Sequence, residues 1–258
     1  FTSRELAPIH LAGLGESLDD LTDAASDLLA GGGCGALIVN TVDRAQQPYT
    51  ALRQRLGAEV PLLLFHARFP ADQRGECERK VLAAFGAEGE RPARALLIAT
   101  QVAEQSLDID FDFMLSDLAP VDLLLQRAGR LHRHVRERPA RHAEARLWVA
   151  GLQAERLREL KDTAWGYVYG AYILLRTWAL LRHERCLRLP ADIDRLVQVV
   201  YGDEPLPDDL DEEACARIEI ESMRMMVLKA AKAMDTLGNR EARIWVHMVK
   251  ALVPERVC

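Results

Sequence analysis

Ala95-Leu96-Leu97-Ile98-Ala99-Thr100-Gln101 decides the fold: five apolar residues without a break, then two polar ones. An apolar run this short and this continuous marks a strand buried on both faces, as in a parallel sheet covered by helices. The unit recurs upstream. Ala36-Leu37-Ile38-Val39 runs into Asn40-Thr41-Val42-Asp43-Arg44, and Leu62-Leu63-Leu64-Phe65 into His66-Ala67-Arg68-Phe69, with Arg74 one helical turn on. Downstream, Phe113-Met114-Leu115 and Ala145-Arg146-Leu147-Trp148-Val149 bring the count to about five strands. Helical periodicity fills the gaps. Leu18, Leu21, Ala25, Leu28 and Leu29 share one stripe of a helix over 17–30 that Gly31-Gly32-Gly33 stops, and further helices fall at 43–56 and 71–85. Helices alternating with doubly buried strands predict a doubly wound α/β domain over 1–150, with residues 1–15 irregular. In that class ligands collect at the carboxyl ends of the strands, where the polar clusters fall.

Beyond Val149 the periodicity changes. Residues 152–182 read as a long helix, broken or whole, whose Trp165, Tyr167, Tyr169, Tyr172 and Trp178 suit packing better than base stacking. Pro190 opens a shorter helix with Ile193, Leu196, Val197 and Val200 inward. The expected organisation is a helical extension over 151–202 packed on the sheet, an acidic linker over 203–213, and a helix with part of a C-terminal domain over 214–258. The linker holds seven acids, two prolines and no base. Arg243–Val249 alternates as a strand would.

The formal net charge of −6 excludes a general nucleic-acid coat, so any such binding is local. Cys34, Cys77, Cys186, Cys215 and Cys258 are scattered, odd in number and without metal spacing, which points to reduced thiols in a cytoplasmic protein. No run of about 18 apolar residues suggests a membrane span. The start at Phe1 suggests a piece of a longer polypeptide.

One local patch stands out. From Arg127 to Arg146 there are seven arginines against Glu137 and Glu144. Within it, Gln126-Arg127-Ala128-Gly129-Arg130-Leu131-His132-Arg133-His134 sets Arg130 and Arg133 three apart, so a helix projects both from one face with Gln126. The glycine between permits close approach, and the planar guanidinium fork suits phosphate. Taken singly, Thr41 or Thr100 could be a cap and His66 a strand-end histidine; together on one sheet edge they read as a binding surface.

The order of these motifs, with Ala99-Thr100-Gln101-Val102-Ala103-Glu104-Gln105-Ser106-Leu107-Asp108-Ile109-Asp110 between them, resembles the second RecA-like domain of a superfamily 2 helicase. More narrowly, Glu104-Gln105-Ser106-Leu107-Asp108, the His132-Arg133-His134 ending, His66-Ala67-Arg68-Phe69 and Leu189-Pro190-Ala191-Asp192-Ile193 resemble the CRISPR-associated helicase–nuclease of type I interference systems. The likeness is strong over about 34–202 and loose beyond. It implies an ATP-driven, 3′-to-5′ motor on single-stranded DNA, with nucleotide between two RecA-like domains. Arg130 and Arg133 match arginine fingers, Gln126 the phosphate-facing glutamine, and Asp108 a carboxylate that touches the ribose. Thr41, Arg68, Thr100 and Gln101 match positions that hold the strand's backbone. Implied partners are single-stranded DNA, a first RecA-like domain, a His-Asp nuclease domain and an RNA-guided CRISPR surveillance complex, with no membrane. No lysine follows a glycine and no His-Asp dipeptide occurs, so the P-loop and nuclease centre are missing here. ATP and Mg2+ would therefore be held chiefly by the first domain, this chain alone should be inactive, and no metal ligand is assigned. Two other readings remain open: a lobe of a different superfamily 2 DNA or RNA helicase, and a non-catalytic nucleic-acid or protein binding module.

Overall fold

The computed structural model describes residues 7–101, 107–153, 165–202, 210 and 212–236. Its framework is a sheet of seven strands: β1 (Ile9–Leu14), β2 (Gly33–Ile38), β3 (Leu62–Phe65), β4 (Arg94–Ala99), β5 (Phe113–Asp117), β6 (Arg146–Ala150) and β7 (Cys186–Leu187). They lie in the order β3-β4-β2-β5-β6-β1-β7. All neighbours pair parallel except β7, which runs antiparallel to β1. The apolar runs occupy the middle: Leu37 faces Ile98 on one side and Leu115 on the other, and every residue of β2 and β5 is buried. The α/β, RecA-like expectation holds.

Helices α1 (Leu18–Ala30) and α2 (Val42–Leu56) carry the chain one way across the sheet; α3 (Ala71–Phe85) and α4 (Val121–Ala128) carry it back. Right-handed crossovers therefore set the first pair on one face and the second on the other. The sequence shows why α1 starts where it does. Ser17 Oγ accepts from the Asp20 N–H at 3.0 Å while Asp20 accepts from the Ser17 N–H at 3.2 Å, a reciprocal cap.

One expectation needs correction. Residues 9–14 are a strand rather than irregular chain: β1 sits between β6 and β7, with His10 opposite Arg146. Gly13 is needed there, since a Cβ would lie 2.6 Å from the Gln153 backbone nitrogen. The helix expected after Leu152, broken or whole, is broken among the described residues into α5 (Trp165–Tyr169) and α6 (Ala171–Leu181), parted by Gly170 at φ +80°. Arg176 of α6, buried, donates to Val200 O at 3.0 Å and to Val199 O, closing the end of α7 (Ile193–Tyr201).

The chain divides into a unit over Phe1–Pro207 and a second over Asp208–Cys258. The second contributes α8 (Glu212–Thr236). Residues 102–106 and 154–164, most of the acidic 203–213 stretch and the strand expected at 243–249 lie outside the described residues. No helix among the described residues is long and apolar enough to cross a membrane.

Candidate nucleic-acid edge and nucleotide rim

The carboxyl ends of β2, β3 and β4 are neighbours, so they bring Asn40-Thr41, His66–Arg68 and Thr100-Gln101 to one edge. Thr41 caps α2, its Oγ accepting from the Arg44 N–H at 3.2 Å. That leaves the hydroxyl proton free in direction, beside the N-terminal N–H groups of a 15-residue helix, a combination that favours an anion. Arg68 is exposed and meets Asp43 at 3.3 Å, a surface pair worth little and easily exchanged for a phosphate. Thr100 is buried, its N–H on Phe65 O at 3.1 Å. His66 is also buried, stacked on Phe69 at 4.3 Å, and burial lowers its affinity for a proton.

The Gln101 side chain is turned inward. Its Nε2 donates to Asn40 O at 3.1 Å and to Tyr169 Oη at 2.8 Å, so both amide hydrogens are committed inside the protein. Any hydrogen bond from Gln101 to a strand's phosphates would have to come from its backbone N–H.

Beneath this edge is a buried polar layer that sequence reasoning missed. Asp117, at the end of β5, is fully buried; Arg44 Nε approaches both its oxygens at 2.8 Å and the Asn40 N–H donates at 3.0 Å. Burial pushes the Asp117 carboxyl up, against the pull of Arg44 and that N–H. Arg127 has no exposed surface: it donates to Ser116 Oγ at 2.8 Å and lies 3.4 Å from Tyr169 Oη. It stands inside the quoted motif, but nothing in its spacing distinguishes a buried arginine from an exposed one.

The second group lies elsewhere. The chain leaving the carboxyl edge after Gln101 returns as an extended 107–112 segment. There Ile109 bridges Gly86 at the end of α3 and Phe111 bridges Leu131. Asp108 is thereby off the carboxyl edge and beside the arginine motif. The motif is not one helix. α4 ends at Ala128, the Arg130 and Leu131 N–H groups turn back to Arg127 O and Ala128 O, and His132 takes φ +48°. Arg130 and Arg133 converge because Leu131 pairs with Phe111 as a bridge, which supplants the expected helix face. Nothing in the protein itself crowds Gly129, where a Cβ would make ordinary contact at 3.5 Å.

The resulting rim holds Asp108, Arg130 and Arg133, with Gln126 exposed on the last turn of α4. Arg133 Nε meets Asp108 Oδ1 at 2.6 Å and His134 Nε2 meets the same oxygen at 3.1 Å; these contacts hold the Asp108 carboxyl below its ordinary range. Arg130 donates to Leu107 O, and burial followed by the charge of Arg133 lowers its hold on its proton. Two guanidiniums so placed favour an anion between them.

The rim rests on an ionic core. Asp110, without exposed surface, accepts the Arg133 N–H at 2.7 Å and meets Arg136 at 2.9 Å and Arg138 at 3.0 Å. Asp112 meets Arg91 at 2.9 Å and Arg138 at 2.5 Å, and accepts the Cys34 N–H at 2.7 Å. Burial raises the Asp112 carboxyl, but the Cys34 N–H, Arg91 and Arg138 outweigh it and leave it below its ordinary range. The same burial pushes the Cys34 thiol up to about 11, so it is inert. Among the described residues no cluster of three His, Cys, Asp or Glu side chains is arranged to hold a metal ion.

A parallel, doubly wound sheet with one polar edge and a separate rim of arginines on an aspartate is the arrangement of a RecA-like lobe. The comparisons narrow this. Residues 31–136 match the family described as CRISPR-associated nuclease/helicase Cas3, C-terminal. The CRISPR-associated endonuclease/helicase Cas3 of Thermus thermophilus is 44% identical over 253 residues, which cover 82% of this chain and 26% of that protein. A crystal structure of T. fusca Cas3 with AMPPNP superposes with a TM-score of 0.71 at 35% identity, covering 86% of this chain and 27% of that one. A structure described as a CRISPR RNA-guided surveillance complex, pre-nicking, contains a chain that superposes with a TM-score of 0.68 at 37% identity, over 84% of this chain and 28% of that one. The chain is a Cas3-type C-terminal helicase portion, and it spans about a quarter of the length of the T. thermophilus relative (26%).

Proposed function

We propose that this chain is the second lobe of an ATP-driven translocase on single-stranded DNA that serves CRISPR interference. The observation that carries the proposal is the separation of two polar groups around one sheet: Thr41, Arg68, Thr100 and Gln101 at the carboxyl edge, and Arg130, Arg133 and Asp108 at the rim, with Gln126 exposed on the last turn of α4. A motor needs such separate handles for strand and nucleotide.

At the edge, the Thr41 hydroxyl, the α2 N-terminus, Arg68 and the Gln101 N–H suit sugar and phosphate, which carry no base identity, with Thr100 buried directly behind them. At the rim, Arg130 and Arg133 are arginine fingers toward a γ-phosphoryl group held with Mg2+ on a first RecA-like domain, and Asp108 takes a ribose hydroxyl. The residues fit that ligand from one side: paired cations and an exposed carboxylate already face each other. ATP supplies the free energy of phosphoryl transfer; the fingers neutralise charge spread on its oxygens, worth about three to five powers of ten in rate. Arg133 and Asp108 hold each other until a nucleotide separates them.

The remaining partners of the proposal are a His-Asp nuclease domain and an RNA-guided surveillance complex in the cytoplasm. The test joins this chain to the P-loop half of its own system. Hydrolysis should require both halves and be stimulated by single-stranded DNA more than by RNA. Arg130→Ala should abolish turnover while strand affinity stays within about a few-fold, since its target is nucleotide. Turnover by this chain alone, or unchanged turnover in Arg130→Ala, would overturn the assignment; stimulation by RNA alone would move the lobe to an RNA motor.

A further inference from the structure

Among the described residues the two handles of the proposed motor meet at a phenol oxygen as well as through Asp117, whose carboxylate takes the Asn40 N–H and whose carbonyl takes Arg127. Tyr169 is the last residue of α5, half-buried, and belongs to the helical extension rather than to the sheet. Its Oη lies 2.8 Å from Gln101 Nε2 and 3.4 Å from Arg127 Nη2, and so faces a donor from each handle. The orientation of the Gln101 amide is fixed because its other hydrogen meets a backbone carbonyl, Asn40 O, at 3.1 Å. Asn40 in turn immediately precedes the Thr41 cap and is held by Asp117 and by Leu118 O at 2.7 Å. On the other side, Arg127 lies in the last turn of α4, next to Gln126 and one turn before Arg130. Because Arg127 is buried and tied to Ser116, it cannot shift without moving that turn.

We propose that Tyr169 is a positioning residue through which strand occupancy at Thr41–Gln101 sets the placement of the 126–133 arginine element, making hydrolysis depend on bound strand. The idea rests on the proposed function. A strand drawing on Thr41 and the Gln101 N–H pulls on the Asn40–Gln101 pair, and the Oη passes that displacement to Arg127. Gly170, at φ +80° directly after Tyr169, is the joint about which α5 can follow. Spatial continuity alone does not establish coupling, which is a free energy and has to be measured as one.

The test uses the complete helicase with Tyr169→Phe, which removes one oxygen and keeps the ring. Four quantities are read: Tm, hydrolysis without DNA, hydrolysis with saturating single-stranded DNA, and strand affinity with and without a non-hydrolysable ATP analogue. The expected result is a stimulation ratio reduced by about five-fold or more, with unstimulated turnover and Tm unchanged. The proposed coupling also predicts that the analogue's effect on strand affinity shrinks, a change that a purely structural tyrosine would not produce. A Gln101→Ala, Tyr169→Phe cycle should be non-additive. Wild-type enzyme without strand-stimulated hydrolysis would sink the motor reading and the coupling together. Normal stimulation in Tyr169→Phe sinks the coupling alone, as does an equal fall in stimulated and unstimulated rates or an additive cycle.

Discussion

Arg127 and Arg133 stand six residues apart in one motif, yet the protein uses them in opposite ways. Arg127 has no exposed surface and spends its guanidinium on Ser116, the Asp117 carbonyl and Tyr169. Arg133 is 45% exposed and rests on a carboxylate, Asp108, that is itself 59% exposed. Desolvation separates them. A buried charge has lost its water and depends on its partners, whereas an exposed pair is screened and opens at small cost. The same contrast divides Asp110 from Asp108: one is locked among three arginines, the other is offered to solvent. The lobe thus surrounds exchangeable charges with fixed ones, as a site that must release and recapture phosphate requires.

Substitutions can break that contrast, and they rank by their effect on the fold. Asp110→Ala should be the most damaging, because it strips Arg136 of its carboxylate, leaves Arg91 and Arg138 to share Asp112, and unties the Arg133 N–H. Leaving buried charge uncompensated costs about 3–5 kcal/mol, to be read from the urea midpoint of the full chain. A loss below about 1 kcal/mol would mean that the cluster is solvated in solution. Arg127→Met comes next: the side chain keeps much of its volume but leaves Ser116 Oγ without this donor. About 1–3 kcal/mol should be lost.

These two residues also mark where sequence reading stopped. The doubly buried strands β2, β4 and β5 were legible because their apolar runs state their surroundings directly. Strand β1 was not: only Ile9 of its six residues is buried, two glycines and a proline surround its end and start, and its partners come from β6 and β7 far along the chain. Burial of Arg127 is equally silent, since a charged residue announces solvent by default. The spacing of Arg130 and Arg133 did point to a shared direction, but for a different reason. Leu131 continues the helical period after Leu124 and Ala128, so the sequence resembles an unbroken helix. The competing bridge, with the Phe111 N–H on Arg130 O at 2.9 Å and the His132 N–H on Phe111 O at 3.1 Å, is a tertiary contact that no local pattern encodes.

Acid should sharpen the contrast further. Asp112 is held below its ordinary range in the folded state, so the stability it contributes is present above the unfolded value of about 3.9 and is lost as pH falls through the folded value. The chain should therefore lose stability below about pH 4, and Asp112→Asn, though less stable at pH 7, should show a shallower decline. A decline as steep as that of the parent would place the acid sensitivity in other carboxylates.

The smallest effect on the fold should accompany a large effect on function. Arg133→Ala removes an exposed pair, so it should cost at most about 1 kcal/mol at low salt, less as salt screens the pair. Its main-chain N–H, the part that Asp110 holds, survives the substitution. In the completed motor the same change removes a finger, and turnover should fall by about three powers of ten or more. Measured together, urea midpoint and turnover distinguish a charge that builds the lobe from one that the lobe presents. Should Arg133→Ala instead unfold the chain to the extent expected of Asp110→Ala, the rim would be part of the ionic core, and Arg130 would be left as the sole candidate finger.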